Sequence, residues 1–309
     1  MRTLFLMSLV LAAACGDDKA EDTSGDVASD ADGDADGGTS STATIDDFIT
    51  VTDEPVGDLS CFTGTLTTET AADGCVAQRS MYGEVLDFQE DDPVDEATVE
   101  FFFEDGIFGP PDAVVTTDAN GMFNIEINTC DPYTYRITTD PVLDMTKTTI
   151  ESHDVVPNQG IVNPSHELQS VSSTTYALIP TLLGVSPKVD KGIVAGRAYD
   201  CAGNNLQGLQ VMIEDSSGSI PDDVVAKYFI DDFPNRNQPY TSEDGLWILM
   251  DVPVGDWVVK GYVADGLGGH TLVARTELKV LADSINISSI YAGIEDGVKM
   301  PPECLTACN

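Results

Sequence analysis

At 309 residues the chain is long enough for two domains of about 100–150 residues each. Its 53 Asp and Glu against 14 Lys and Arg give a formal charge of −39, and a 42% hydrophobic content is enough to build cores. Nucleic acid is not an expected partner of such a surface, because phosphate backbones are bound by counterion release at many Lys and Arg side chains.

The chain opens with Arg2, an apolar run from Leu4 to Leu11, and the small residues Ala12, Ala13 and Ala14 directly before Cys15. That is the layout of a secretory signal, and the run is too short to stay as a membrane-spanning helix, which needs about 20 apolar residues. Ending in cysteine, it resembles the lipobox of bacterial lipoproteins, in which the cysteine becomes the lipidated first residue of the mature chain. It departs from that pattern in having Ala12, with Leu11 one step further out, where the family prefers Leu. The resemblance implies a lipid-anchored protein of the cell envelope, and Gly16 after Cys15 points by analogy to the outer membrane.

From Gly16 to Ser60 there are 14 acidic residues and one basic residue, Lys19, among Gly, Ser, Thr and Ala. Too little of this stretch can be buried to offset the lost chain entropy, so a disordered tether is expected, with a coil reach of about 35–40 Å. Asp30, Asp32, Asp34 and Asp36 alternate like the carboxylates of a calcium loop. Counting from Asp32, however, the closing position 12 is Ala43, which cannot supply the bidentate carboxylate. No metal and no cofactor is expected.

Beyond the tether the sequence repeats itself. Met81–Asp87 (MYGEVLD) matches Val194–Asp200 (VAGRAYD), and Thr116–Phe123 (TTDANGMF) matches Tyr240–Trp247 (YTSEDGLW). These matches align Gly83 with Gly196, Asp87 with Asp200 and Gly121 with Gly245. A third pairs Thr174–Ile179 with Ser289–Ile294 through Tyr176 and Tyr291. Short β-branched or aromatic runs bounded by Gly, Pro, Asn and Asp predict strands over Glu100–Phe103, Phe123–Ile127, Tyr133–Ile137, Gln210–Glu214, Trp247–Met250 and Trp257–Ala264. Asn120-Gly121 and Asp244-Gly245 read as hairpin turns, since Gly accepts a positive φ. Only Pro180–Gly184 reads as helical, for a single turn. The expected fold class is all-β: two tandem transthyretin-like or immunoglobulin-like sandwiches after a disordered acidic linker.

The second repeat, GRAYDCAGNNLQGLQVMIED followed by TSEDGLWILMDVPVGDWVVKGYV, resembles the carboxypeptidase regulatory-like domain, a transthyretin-like β-sandwich. The family's features fall on Gly196, Asp200, Gly203, Gly208, Thr241, Asp244, Gly245, Val252, Pro253 and Gly255. The first repeat replaces the Val-Pro-x-Gly corner with Thr129-Cys130-Asp131-Pro132. The resemblance implies a scaffold that folds, spaces and sometimes binds polymers beside a separate catalytic or transport domain. The expected division is a signal over 1–15, the linker over 16–60, a first sandwich over 61–185, a second over 186–295 and a cysteine-containing tail over 296–309.

Between Ser219 and Tyr240 the second repeat carries an insertion. Tyr228, Phe229, Phe233, Arg236 and Tyr240 make it a candidate interaction loop, since aromatics and Arg dominate interface hot spots. The competing reading is an extra edge hairpin whose aromatics cover the end of the sandwich. With Cys15 removed, six cysteines remain: Cys61, Cys75, Cys130, Cys201, Cys304 and Cys308. An even number in an exported chain implies disulfides, with 15 possible connectivities. Cys61 with Cys75 would close a small loop, and Cys201 with Cys304 or Cys308 would pin the tail.

Catalytic motifs are lacking. Of His153, His166 and His270, none begins a zinc-protease pair, and no nucleophile elbow, phosphate loop or dinucleotide fingerprint occurs. His166 beside Glu167 reads as exposed loop polarity. In related Gram-positive surface domains a lysine two residues before the first-strand Asp forms an isopeptide bond with an asparagine. Those places hold Val85 and Ala198 here, leaving Lys191 and Asn286 as a remote pair. The function expected is a non-enzymatic, lipid-anchored envelope module that acts as spacer or partner for an envelope protein. The alternative is a polysaccharide-binding module, for which Trp247, Trp257 or the aromatics of the insertion would have to form an exposed platform, although alternation puts Trp257 on one face with Val259 and Gly261, where it reads as core rather than platform.

Overall fold

The computed structural model describes residues 43–50, 53–103, 107–140, 146–158 and 161–308. The signal, Cys15, the Asp30–Asp36 run and the linker up to residue 42 lie outside the described residues.

Two β-sandwiches follow one another, as the repeats imply. In the first, one sheet has the order β4-β1-β8-β6, from Met122–Thr129 (β4), Ala77–Asp87 (β1), Ile161–Ser172 (β8) and Thr146–Lys147 (β6). Facing it are Ala113–Thr116 (β3), Thr98–Phe102 (β2), Tyr133–Thr138 (β5) and Thr149–Asp154 (β7), in the order β3-β2-β5-β7. Alternation fills the space between them: Phe123, Ile125 and Ile127 of β4 and Tyr133, Tyr135 and Ile137 of β5 point inward, and the residues between point out.

The second sandwich uses the same plan. One sheet contains Phe233–Asn235 (β12), Val225–Ile230 (β11), Leu246–Pro253 (β13), Lys191–Tyr199 (β9) and Ile285–Ile287 (β16), with Ile290–Tyr291 (β17) also on β9. The other contains Leu209–Glu214 (β10), Gly255–Ala264 (β14) and His270–Val280 (β15). Every strand predicted from the sequence falls in β2, β4, β5, β10, β13 or β14, apart from Phe103, which lies just beyond β2.

The two sandwiches are not joined only by a connecting segment. Strand β16 runs parallel to both β9 and β7, pairing Asn286 with Val194 on one side and with Ile150 on the other. One sheet of each sandwich is thereby merged into a continuous ten-stranded sheet.

The repeat is visible at single residues. Thr117 Oγ accepts from the Ala97 amide and donates to the Val94 carbonyl. Thr241 Oγ does the same with Leu209 and Leu206. Asp87 Oδ1 accepts the amides of Gln89 and Glu90, and Asp200 Oδ1 those of Ala202 and Asn204, so each closes the loop after its first strand. Gly121 and Gly245 have the expected positive φ, 73° and 69°. Their turns, however, lead from one ladder to another rather than joining paired strands: β4 pairs with β1 and not β3, and β13 with β9 and β11. The third sequence match is not a structural one, since Tyr176 is helical and Tyr291 lies in β17, its ring stacked on Tyr199 at 5.1 Å.

Three expectations are corrected. The helix is a full Ser173–Leu183 (α1), started by Ser172, whose hydroxyl accepts from the Thr175 amide, and stopped by Gly184 at φ 74°. It covers the outer face of β9 and β13, where Leu246, Ile248 and Met250 are buried with Leu183 and Ile193, and this is why β13 is apolar on both faces. The linker is docked in its described part. Ile49 is buried, Phe48 and Leu59 pack on the second core, the Thr50 amide donates to Gln210 and Val56 bridges to Gln207. Finally, the six cysteines pair as Cys61–Cys201, Cys75–Cys308 and Cys130–Cys304. The small Cys61–Cys75 loop does not exist, and the tail is pinned to the first sandwich rather than to Cys201.

Candidate functional site

The chemistry-bearing residues of the described chain gather around β7, where the sandwiches meet. Opposite β5, Tyr133 faces Asp154 and Tyr135 faces Glu151, so two steps on β5 span three on β7. The extra residue is a β-bulge, and His153 within it takes φ 68°, a conformation that costs a non-glycine residue about 1–3 kcal/mol. The bulge turns Asp154 to the same side as Glu151, into the first sandwich, and sends His153 out toward the Glu277 carbonyl on β15.

Inside, the Tyr133 hydroxyl donates to Asp154 and the Tyr135 hydroxyl to Glu151. Tyr135 also accepts from the Gln169 amide at 3.0 Å, and His166 Nε2 meets Asp154 Oδ2 at 2.6 Å. His166 is therefore a half-buried member of β8 paired with Asp154, not loop polarity beside Glu167. Burial, with the Asp154 charge added to it, pushes the Glu151 carboxyl up to about 7. Burial also opposes ionisation of Asp154, but the His166 imidazolium and the hydrogen bonds from His166, Tyr133 and the Val155 amide outweigh it and hold that carboxyl below its usual range. His166 is raised in turn: burial works against its charge, and Asp154 and Glu151 more than compensate. Burial and the two carboxylates push both tyrosines well above the ordinary phenol value.

These groups satisfy one another, and none of them but Tyr133 lines a described cavity. The cluster ties β5, β7 and β8 together. Among the described residues no group of three or more His, Cys, Asp and Glu is placed to hold a metal ion, and no helix is long and apolar enough to cross a membrane.

On the outer side of β7 lies a groove of about 400 Å3 between the first sandwich and the outer face of the β10-β14-β15 sheet. Trp257 borders it at the end of β14, but its side chain lies on the inner face with Val259 and packs on the second core, its indole nitrogen donating to the Pro253 carbonyl at 2.7 Å. Arg275 is held between Glu295 and Glu277 at 2.6 and 2.7 Å, and Lys279 pairs with Asp256 at 2.6 Å. Through Pro132, Thr134 and His153 the groove adjoins a second hollow beside Phe102 and Phe103.

The predicted interaction residues lie elsewhere: Tyr228 and Arg236 line a separate hollow beside Phe48, and Phe229, Phe233 and Tyr240 lie outside it. Tyr228 is buried, its hydroxyl accepting from the Val211 amide, and Phe229 is buried under α1. Arg236 donates to the Thr181 and Leu182 carbonyls at the end of α1, and Tyr240 donates to Asp53. Phe233, at 64% exposure, and Arg236 are the two that are open to solvent. Strands β11 and β12 form the edge hairpin of the competing reading. Trp247 is buried and belongs to no platform. Asn286 donates to the Ile193 carbonyl and Ser284 and accepts from the Leu281 amide, so its side chain is committed to holding β16 in the sheet.

Compared with known proteins, the sequence matches no family model and no curated protein. Solved structures similar to parts of it include the Bacillus anthracis TIE protein, at 14% identity and TM-score 0.24, covering 70% of this chain and 34% of that one. The chain thus spans about a third of the length of that protein. The shaft pilin SpaA from Lactobacillus rhamnosus GG is 10% identical with TM-score 0.23, over 70% of this chain and 98% of that one. BcpA, the major pilin subunit of Bacillus cereus, is 9% identical with TM-score 0.21, over 70% of this chain and all of that one (100%). The sandwich architecture given above rests on the strand pairing itself.

Proposed function

We propose that this chain is a non-enzymatic module of the cell envelope, held at the outer membrane by lipid on Cys15 and carried away from it by the acidic segment. Its two sandwiches, the second of the carboxypeptidase regulatory-like kind, serve as a stiff spacer and as a body on which an envelope protein or polysaccharide can dock. The observation that carries this reading is the double fastening of the sandwiches. They share one sheet through β16, and disulfides tie Cys75 and Cys130 of the first to Cys308 and Cys304 of the tail. A spacer needs such fixed geometry, and stable disulfides belong to exported proteins. The carboxylates Glu151 and Asp154, bonded to Tyr135, Tyr133 and His166 and lining none of the described cavities, fit a structural role better than a hydrolytic one.

The test is detergent phase partitioning of the protein made in a Gram-negative host. Wild type is expected in the detergent phase and in the outer-membrane fraction, and Cys15→Ser in the aqueous phase. Recovery of both in the aqueous phase would reject the anchor.

A further inference from the structure

We propose that the Cys61–Cys201 disulfide is a reducible clasp: a dithiol opens it while the other two bonds stay closed, and segment 53–62 then comes away from the second sandwich. Freed, that segment would lengthen the connection between Cys15 and the sandwiches. The lengthening rests on the anchor proposed above; the opening of the clasp does not.

The three disulfides differ in their surroundings. Cys75, Cys130 and Cys304 are at most 1% exposed and share a small core with Val155, Val298 and Met300. Both sulfurs of Cys130–Cys304 are therefore shielded. Cys308 is half-buried, but attack on its sulfur would expel Cys75 as a thiolate into that apolar core, where it is a poor leaving group. Cys61 and Cys201 instead sit in turns, Cys61 exposed and Cys201 half-buried. One side of the Cys61 sulfur lies against the Ala292 carbonyl at 3.2 Å. The Cys61 amide donates to the Cys201 sulfur at 3.0 Å, so a thiolate expelled at Cys201 meets a hydrogen-bond donor already in place. Accessible disulfides are the labile ones, and this is the accessible one of the three.

In the exchange one thiolate of the dithiol attacks the Cys61 sulfur, and the Cys201 sulfur leaves with the bonding pair and takes up a proton. The second thiol of the reagent then displaces Cys61 and closes the reagent's own disulfide. Two electrons and two protons thus pass from the dithiol to the protein. What the clasp secures is lightly held otherwise. Segment 53–62 adds no strand to either sheet of the second sandwich. It is fixed by one bridge between Val56 and Gln207, by the Asp58 amide on Asp200 and the Cys201 amide on the Asp58 carbonyl, both at 2.8 Å, and by Tyr240 on Asp53. Leu59 and Phe62 are only partly buried, and Val56 is 62% exposed. Segments with so few buried contacts open at low local free energy. Beneath it lies Leu206, fully buried, whose side chain a β-carbon on Gly57 would approach to 2.8 Å.

The test is timed reduction of the full-length oxidised protein with dithiothreitol under native conditions, followed by alkylation and peptide mapping. Cys61 and Cys201 should be alkylated about tenfold faster, or more, than the other four cysteines. Amide exchange across 53–62 should then accelerate by about tenfold or more while β9 and β13 keep their protection. The double variant Cys61→Ser, Cys201→Ser should show the same exchange without reductant, and the reduced wild type carries the test if that variant misfolds. Reduction of either other disulfide at an equal or greater rate would overturn the proposal. So would exchange across 53–62 that is unchanged once the bond is open. Neither result bears on the anchor, which the partitioning assay reads separately.

Discussion

Gly196 of β9 lies directly across from Trp247 of β13, and the indole occupies the space that a side chain at Gly196 would need. A β-carbon there would sit 2.1 Å from the Ser288 carbonyl oxygen and 2.7 Å from the ring. Gly83 and Phe123 repeat the relationship in the first sandwich, with the phenyl ring tip 2.0 Å from the same hypothetical atom. Overpacking costs about 1–3 kcal/mol, and a backbone obstacle belongs at the upper end of that range. Gly196→Ala should therefore lower the free energy of urea unfolding by about 3 kcal/mol, and Gly83→Ala by less if Phe123 can turn aside.

Removing the Cys130–Cys304 bond as the double variant Cys130→Ser, Cys304→Ser should destabilise the protein by about 2–5 kcal/mol, because the bridge restrains residues 174 apart in the unfolded chain. Thermal melting with and without reductant measures the effect. Peptide mapping of the unreduced protein should return Cys61–Cys201, Cys75–Cys308 and Cys130–Cys304, with no free thiol among the six.

The cluster on β7 gives stability a definite dependence on pH. Glu151 is raised from 4.5 to about 7 in the folded protein, so the folded state holds a proton that the unfolded state releases, and stability falls as pH rises from about 4.5 through about 7. His166 is also raised, so its contribution is complete below 6.5 and is lost as pH rises through its folded value. Asp154 is lowered and acts in the opposite sense, its contribution disappearing as pH falls below 3.8. The groups facing Glu151 are Tyr135 on β5, Asp154 on β7 and His166 on β8, and its charge also reaches Tyr291 on β17. Urea midpoints should be higher near pH 5.5 than at pH 8. Glu151→Gln should flatten that difference while still accepting the Tyr135 hydroxyl.

Arg236 closes the end of α1, so Arg236→Ala should act on stability. A loss of about 0.5–1 kcal/mol is expected from two hydrogen bonds at an exposed helix terminus, seen as faster amide exchange in the last turn of α1. Exchange unchanged from wild type would show that the contact carries no weight.

What the sequence reveals here is local. The glycine facing an aromatic, the threonine bonded across its turn and the aspartate closing its loop are short patterns, and each is found where the repeat places it. Its silences are mostly long-range. Nothing near Cys61 marks Cys201 as its partner, and nothing in Ile285–Ile287 says that this short run joins two sheets. The α1 helix is hidden by Pro180, which has no amide to give to the turn before it, and by three Ser and Thr residues at its start, which favour caps over helix interiors. His166 has Glu167 as its sequence neighbour, while its partner Asp154 is set by a bulge that no periodicity displays. The docking of residues 43–50 is masked by the acidic composition around a few apolar side chains, Ile45, Phe48 and Ile49.

The position of β16 also governs the order in which the molecule can be assembled. The first sandwich comes early in the chain, yet the outer neighbour of its β7 strand is supplied by residues 285–287, and two of its cysteines wait for residues 304 and 308. As the chain emerges from its N-terminus, that sandwich leaves a sheet edge uncovered and two thiols unpaired until residues 285–308 have arrived. Residues 285–308 thus act as a seal: a product that stops short of them is left open at β7, sticky there and exposed to oxidants and proteases, and the first sandwich closes only once they are in place.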